Sequence, residues 1–121
     1  MSSLRLEGRV ALIIGAARGI GKGIAQRFKE EGARLVLADV EAGTCRQAAE
    51  ELGAEFIRTD ISKMADAEAA VRCAVKNFGR LDILVQNAGI FPLQLIEHTS
   101  PDDWDKVLAV NLRGAFNAAR A

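Results

Sequence analysis

Hydrophobic and polar positions along this chain switch between two periods, and the switches fall at glycines. Val10-Ala11-Leu12-Ile13-Ile14 is a continuous apolar run that predicts a strand, followed by a turn carrying Gly15, Gly19 and Gly21. Ile20, Ile24 and Phe28 then recur every four residues, with Arg27, Lys29, Glu30 and Glu31 toward the other side and Gly32 as terminator. This predicts a helix packed on a sheet by one apolar stripe. Leu35-Val36-Leu37-Ala38 reads as a second strand closing on Asp39, Ala48, Ala49 and Leu52 as a weaker helical face ending at Gly53, and Glu55 to Arg58 as a short strand.

Ser62 is placed to cap the next helix, whose positions Ala67, Val71, Ala74, Val75 and Phe78 keep the helical period up to Gly79. Leu81-Asp82-Ile83-Leu84-Val85 is the nearly continuous apolar run that a parallel strand covered on both faces requires. Ile90 to Thr99 reads as a loop. Ser100-Pro101-Asp102-Asp103 then opens a last helix with a capping-box-like start. Trp104, Val107, Leu108, Asn111, Leu112, Ala115 and Phe116 share its apolar face, and no stop signal precedes Ala121. A chain cut inside a helix is the expectation.

Strands alternating with helices imply an α/β fold with a parallel sheet, because right-handed crossovers return each strand in the same direction. Ligands of such sheets bind beyond the carboxyl ends of the strands, where strand order reverses. The glycine turn, Asp39, Asp60 and Gln86-Asn87-Ala88-Gly89 each follow a strand directly, so all four should converge on that edge. Glycines let the first turn tighten and expose the unpartnered N–H groups of the helix start, where the helix dipole adds positive charge. Such a turn is a cradle for an anion such as pyrophosphate. Asp39 lies close to the ~20-residue offset at which dinucleotide-binding folds place an acid on the adenosine ribose. A carboxylate there repels a 2′-phosphate and favours NAD over NADP, although Arg18 inside the turn could reach a phosphate. Asn111 is a polar residue on an apolar face; a buried amide must meet backbone, water or a functional group.

At 121 residues and half hydrophobic, the chain is one domain by length. Its 16 basic and 16 acidic side chains cancel, so no net field draws it to nucleic acid or to a membrane surface. Apolar runs are strand-length, Met1 to Glu7 carries no apolar signal core, and a cytoplasmic protein is expected. Cys45 and Cys73 read as two reduced thiols and His98 as a solvated loop residue, with no metal-ligand spacing among them. The chain contains no tyrosine.

A glycine turn alone also suits methyltransferases that bind S-adenosylmethionine. The joint set decides between them: Gly15, Gly19, Ile20 and Gly21, then Asp39, Asp60-Ile61, Asn87-Ala88-Gly89, and Asn111 in Val110-Asn111-Leu112. In that order and spacing these closely resemble the short-chain dehydrogenase/reductase family over essentially the whole chain. The resemblance implies four strands of a Rossmann-type doubly wound parallel sheet, with residues 1–121 as one incomplete NAD(P)-binding domain. It implies that Gly15, Arg18, Gly19 and Ile20 form the coenzyme phosphate turn and that Gly21 lets helix and strand approach. Asp39 becomes the ribose acid, Asp60 a partner of the adenine amino group with Ile61 beside the ring. Asn87 steadies the central strand while Ala88 and Gly89 admit the nicotinamide ribose, and Asn111 is the catalytic-tetrad asparagine whose bent helix holds a relay water.

Ile14 and Gln86 depart from the family's usual threonine and asparagine. The family's serine, tyrosine and lysine lie on elements beyond residue 121, so the implied activity, hydride transfer between nicotinamide and an alcohol or ketone, belongs to a longer, homo-oligomeric parent. A nucleotide-binding pseudoenzyme and a protein-interaction module are the alternatives for the chain as it stands.

Overall fold

The computed structural model describes residues 3–121, so that Met1 and Ser2 of the segment Met1 to Glu7 lie outside the described residues. Its strands are β1 (Val10–Ile14), β2 (Arg34–Asp39), β3 (Glu55–Arg58) and β4 (Ile83–Gln86), and its first three helices are α1 (Gly19–Glu30), α2 (Ala42–Leu52) and α3 (Met64–Phe78). A loop with one 3-10 turn at Ile96–His98 leads to α4 (Pro101–Leu108), a π-helical turn at Ala109–Arg113, and α5 (Gly114–Arg120). All pairings are parallel and the sheet order is β3-β2-β1-β4, which puts the reversal of strand order between β1 and β4. The expected α/β, doubly wound architecture is therefore present.

Successive side chains of a strand point to opposite faces, and β1 and β2 are apolar on both. Ala11, Ile13, Leu35 and Leu37 pack with Ala25 of α1 and with Cys45, Ala48 and Ala49 of α2. Val10, Leu12, Ile14, Val36 and Ala38 pack on the other face with Ala67, Ala70 and Ala74 of α3 and Ala118 of α5. Alanines on the helical sides bring the helix backbones close to the sheet, so the branched strand residues fill the interior.

Several expectations are corrected by this packing. Ile20 is 75% exposed, whereas Gly21, beside it in the first turn, and Ala25 are the residues of α1 that are buried. Val75 is likewise exposed, and Ala70 takes its place on the buried face of α3. Ser62 does not cap α3: its hydroxyl donates to Asp60 Oδ1 at 2.6 Å, while Lys63 holds the cap position without a side-chain bond. β4 is an edge strand, with Leu84 38% exposed, so its apolar run is covered less completely than a central strand's would be.

The last helix departs most. Ser100 does cap it, accepting from Asp103 N at 3.0 Å, with Pro101 in the first turn. Trp104, Leu108, Leu112 and Phe116 nevertheless form an exposed stripe, and the contact with the rest of the protein is made by Val110, Gly114, Asn117 and Ala118. Small residues pack where backbones approach closely: a Cβ on Gly114 would lie 2.8 Å from Ile61 Cγ2. Beside it the buried Asn117 donates from Nδ2 to the Ile61 carbonyl at 2.9 Å. Asn117→Ala is expected to cost about 1–3 kcal/mol by leaving that carbonyl unpaired, a loss readable in urea unfolding; a midpoint equal to wild type would show that solvent replaces the amide.

Asp82 ties the start of β4 to the start of β1. Its Oδ2 accepts from Val10 N at 2.8 Å, and its own N–H donates back to the Val10 carbonyl at 2.9 Å. The Arg80 guanidinium, bonded to Oδ1, and then the Val10 N–H hold the Asp82 carboxyl below the ordinary carboxylate range. A carboxylate with a lowered folded-state pKa stabilises the fold above its unfolded value, and the stabilisation is lost as pH falls through the folded value. The unfolding temperature is therefore expected to drop once pH falls below about 4, and Asp82→Asn should lower it at neutral pH and flatten that acid limb. An unchanged acid limb in the variant would assign the effect to other carboxylates.

Candidate functional site

β1 ends against the glycine turn, and the turn is shaped by the absence of two side chains. Gly15 has φ +85°, and a Cβ on it would meet Ala88 N at 2.7 Å. A Cβ on Gly21 would lie 2.0 Å from Gly15 O. The segment after β4 is drawn onto the turn by Asn87, whose N–H donates to Ile14 O at 2.9 Å and whose Nδ2 donates to Gly15 O at 3.2 Å. No side chain caps α1, so the N–H groups of its first turn keep the unpartnered, electropositive character of a helix start.

Asp39, the last residue of β2, closes the neighbouring wall. Its Oδ2 accepts from Ala17 N and its Oδ1 from Glu41 N, both at 3.0 Å. These bonds fix the carboxylate while leaving lone pairs for a ligand. The Arg18 guanidinium is paired with Glu41. Asp60 Oδ1 accepts from Ser62 Oγ at 2.6 Å and from Ser62 N at 3.1 Å. The Ser62 hydroxyl bond lowers the Asp60 pKa most, against the opposing effect of desolvation, with the Ser62 N–H and the charges of Lys63 and Arg58 adding to it. Asp60 is thus held ionised.

Asn111 lies in the π-helical turn, and its amide clamps the loop after β4: Oδ1 accepts from Ile90 N at 2.8 Å and Nδ2 donates to Ile90 O at 2.9 Å. The polar residue on an apolar face thus meets backbone. Each end of the amide still has one hydrogen-bonding position spare. The helix around it is widened rather than regular, a form often found at functional sites.

A cavity of about 670 Å³ runs along this edge. Its walls include Gly15 and Arg18, Asp39 and Glu41, Asp60 and Ile61, and Asn87, Ala88 and Gly89. The sequence-derived set therefore converges on one trough, of the size ligand pockets commonly have. Gly19 and Ile20 stand exposed at the helix start outside the lining, Gly21 is buried beneath it, and Asn111 reaches it through Ile90. Sequence reading missed Glu41 and Asn117. Glu41 lies two residues after Asp39, where nothing in a period marks it; Asn117 differs from any helix-surface asparagine only by its burial.

Two free thiols lie away from the trough's surface. Burial, and then the nearby Asp39 charge, push the Cys45 thiol up to about 12, so it stays protonated under the site. Among the described residues no group of three His, Cys, Asp or Glu side chains converges as a metal site would.

Fold and site together define a Rossmann-type α/β protein with a glycine-walled trough at the switch point of its sheet. The chain belongs to the short chain dehydrogenase family, whose pattern it matches over residues 9–121. It is 44% identical over 114 residues to a mitochondrial borneol dehydrogenase of Lavandula x intermedia, covering 93% of this chain and 44% of that one. It is 39% identical over 120 residues to a galactitol 2-dehydrogenase of Agrobacterium fabrum, covering 98% and 47%. Among solved structures, a Brucella melitensis 3-ketoacyl-(acyl-carrier-protein) reductase complexed with NADH superposes with a TM-score of 0.91 at 43% identity, over 95% of this chain and 48% of that one. The chain spans about half the length of the curated relatives it matches.

Proposed function

We propose that the chain is the coenzyme-binding part of an NAD-dependent oxidoreductase that moves a hydride between nicotinamide and an alcohol or ketone. The observation that carries this reading is the trough itself, with Asp39 fixed by two backbone bonds beside an uncapped helix start. The residues fit a dinucleotide: the glycine walls leave room where a Cβ would intrude, and acids line the end opposite Asn87 and Gly89. Nicotinamide, when bound, supplies the hydride acceptor or donor.

The work of this chain is to hold and orient. The backbone N–H groups of the α1 start and the turn from Gly15 to Gly21 receive the pyrophosphate. Asp39 accepts from the ribose hydroxyls and disfavours a 2′-phosphate; NADP is the weaker ligand. Asp60 and Ile61 receive the adenine, Asn87, Ala88 and Gly89 the nicotinamide ribose, and Asn111 takes part in a proton relay through its widened turn. With no tyrosine in these residues, acid/base chemistry on the substrate comes from elsewhere in the whole protein, a homo-oligomer in which the exposed Trp104 stripe is an assembly face.

Asp39→Ala in the intact protein is expected to weaken NADH binding about 10- to 100-fold, the worth of one or two charge-assisted hydrogen bonds. Fluorescence titration with NADH reads it, beside thermal shift with S-adenosylmethionine. Preference for S-adenosylmethionine, or equal protection by NAD and NADP, would sink the reading.

A further inference from the structure

Arg18 in the glycine turn and Glu41 after β2 meet across the rim of the trough, the guanidinium Nη2 bonded to Glu41 Oε2. Both residues line the cavity beside Asp39. Asp39 staples the two segments that carry them, since its carboxylate accepts from the N–H of Ala17, next to Arg18, and from the N–H of Glu41 itself. The pairing is therefore set by backbone held in place, and it is the one ion pair either side chain makes among the described residues.

We propose that Glu41 is a second coenzyme-selecting residue, acting by occupying the guanidinium of Arg18. This rests on the reading of Asp39 as the ribose acid. Arg18 is the cation that stands beside that acid, and a free arginine there is the group that accommodates a ribose 2′-phosphate. Glu41 adds a further negative charge to an end that already holds Asp39 and the ionised Asp60, and it turns the guanidinium away from an incoming phosphate. The 2′-phosphate then meets two carboxylates and finds the cation already bonded.

Because the side chains of Arg18 and Glu41 are 67% and 47% exposed, their pairing contributes little to folding. Its effect is on selection, and it can be removed without loosening the turn, unlike Asp39.

The test is equilibrium titration of the intact protein with NADH and with NADPH, read by nucleotide fluorescence without turnover. Wild type, Glu41→Gln, Arg18→Ala and the double variant are compared, with thermal unfolding run on each. Glu41→Gln is expected to improve NADPH affinity about tenfold relative to NADH, the worth of one charge-assisted contact. That gain should be clearly smaller when the substitution is made on Arg18→Ala, where only the repulsion by Glu41 is left to relieve, and it should shrink at high salt. An unchanged NADPH-to-NADH ratio in Glu41→Gln, or a gain that is equally large without Arg18, overturns the role of Glu41 as the occupant of that guanidinium. Wild-type protein that binds NADH while the ratio stays fixed leaves the coenzyme reading standing and removes only this inference. Wild-type protein that binds neither nucleotide overturns both.

Discussion

Gly21→Ala is expected to cost about 3 kcal/mol of stability, at the upper end of what overpacking a well-filled site costs, and to abolish NADH binding with it. The added Cβ would lie 2.0 Å from Gly15 O, 2.8 Å from Gly15 C and 2.9 Å from Asn87 Nδ2. None of these can give way cheaply. Two are backbone atoms of the turn, and Gly15 itself is pressed against the Ala88 backbone on its other side. The third is the amide that bonds Gly15 O and closes the segment after β4 onto β1. Displacing any of them opens the junction of β1, α1 and β4, which is the floor of the trough.

A control lies two residues further along the same helix. A Cβ on Gly23 would meet nothing within 4 Å, and the residue is exposed in the helix interior. Gly23→Ala should therefore raise stability by up to ~1 kcal/mol through helix propensity. Urea unfolding of the two variants, with an NADH titration of each, separates packing from propensity. If both alanines are equally tolerated, the turn is not held by the close approach described above.

Asn111→Ala is expected to lower the reaction rate of the intact protein about 100-fold, the lower range for general acid–base catalysis, through loss of the relay water that Asn111 is proposed to help hold. The substitution removes both bonds to Ile90 and leaves a half-buried N–H and C=O without their partner. A fall in stability is therefore expected as well, and the rate must be distinguished from it. Asn117→Ala supplies the comparison: its amide also ties the last helix to a loop of the sheet edge, but at Ile61, next to Asp60 rather than next to Gly89. Stability loss in both variants, with a rate loss confined to Asn111→Ala, assigns Asn111 to the relay. Equal rates in both would reduce Asn111 to a clamp on the loop.

The two asparagines also mark how far the residue pattern reaches. Asn111 attracted notice because it interrupts an apolar stripe, yet that stripe is the exposed side of α4 and α5. Helical spacing of apolar residues marks one face of a helix as hydrophobic, and it is silent on what covers that face. Asn117 sits among alanines, polar by composition, and is nevertheless the buried one, because only small residues and a satisfied amide fit against Ile61. Ser62 has the same lesson at short range: its hydroxyl had a helix end and a carboxylate within reach, and it serves the carboxylate, Asp60.

Local sequence determined the strand and helix order, the parallel sheet, and which four segments stand at its carboxyl edge. It could do so because apolar period, glycine placement and right-handed crossover are properties of short stretches that every longer arrangement must respect. Tertiary structure alone decided three further matters. It set which side of α4 and α5 is covered, because burial depends on the neighbour and not on the helix. It converted Gly15 from a permissive turn residue into a position where a single Cβ would meet the backbone of Asn87 and Ala88, because that contact joins the end of β1 to a segment more than 60 residues away in the chain. And it paired Arg18 with Glu41, turning the one cation of the glycine turn from an open phosphate partner into an occupied one, because the bond spans two loops that only the sheet brings together.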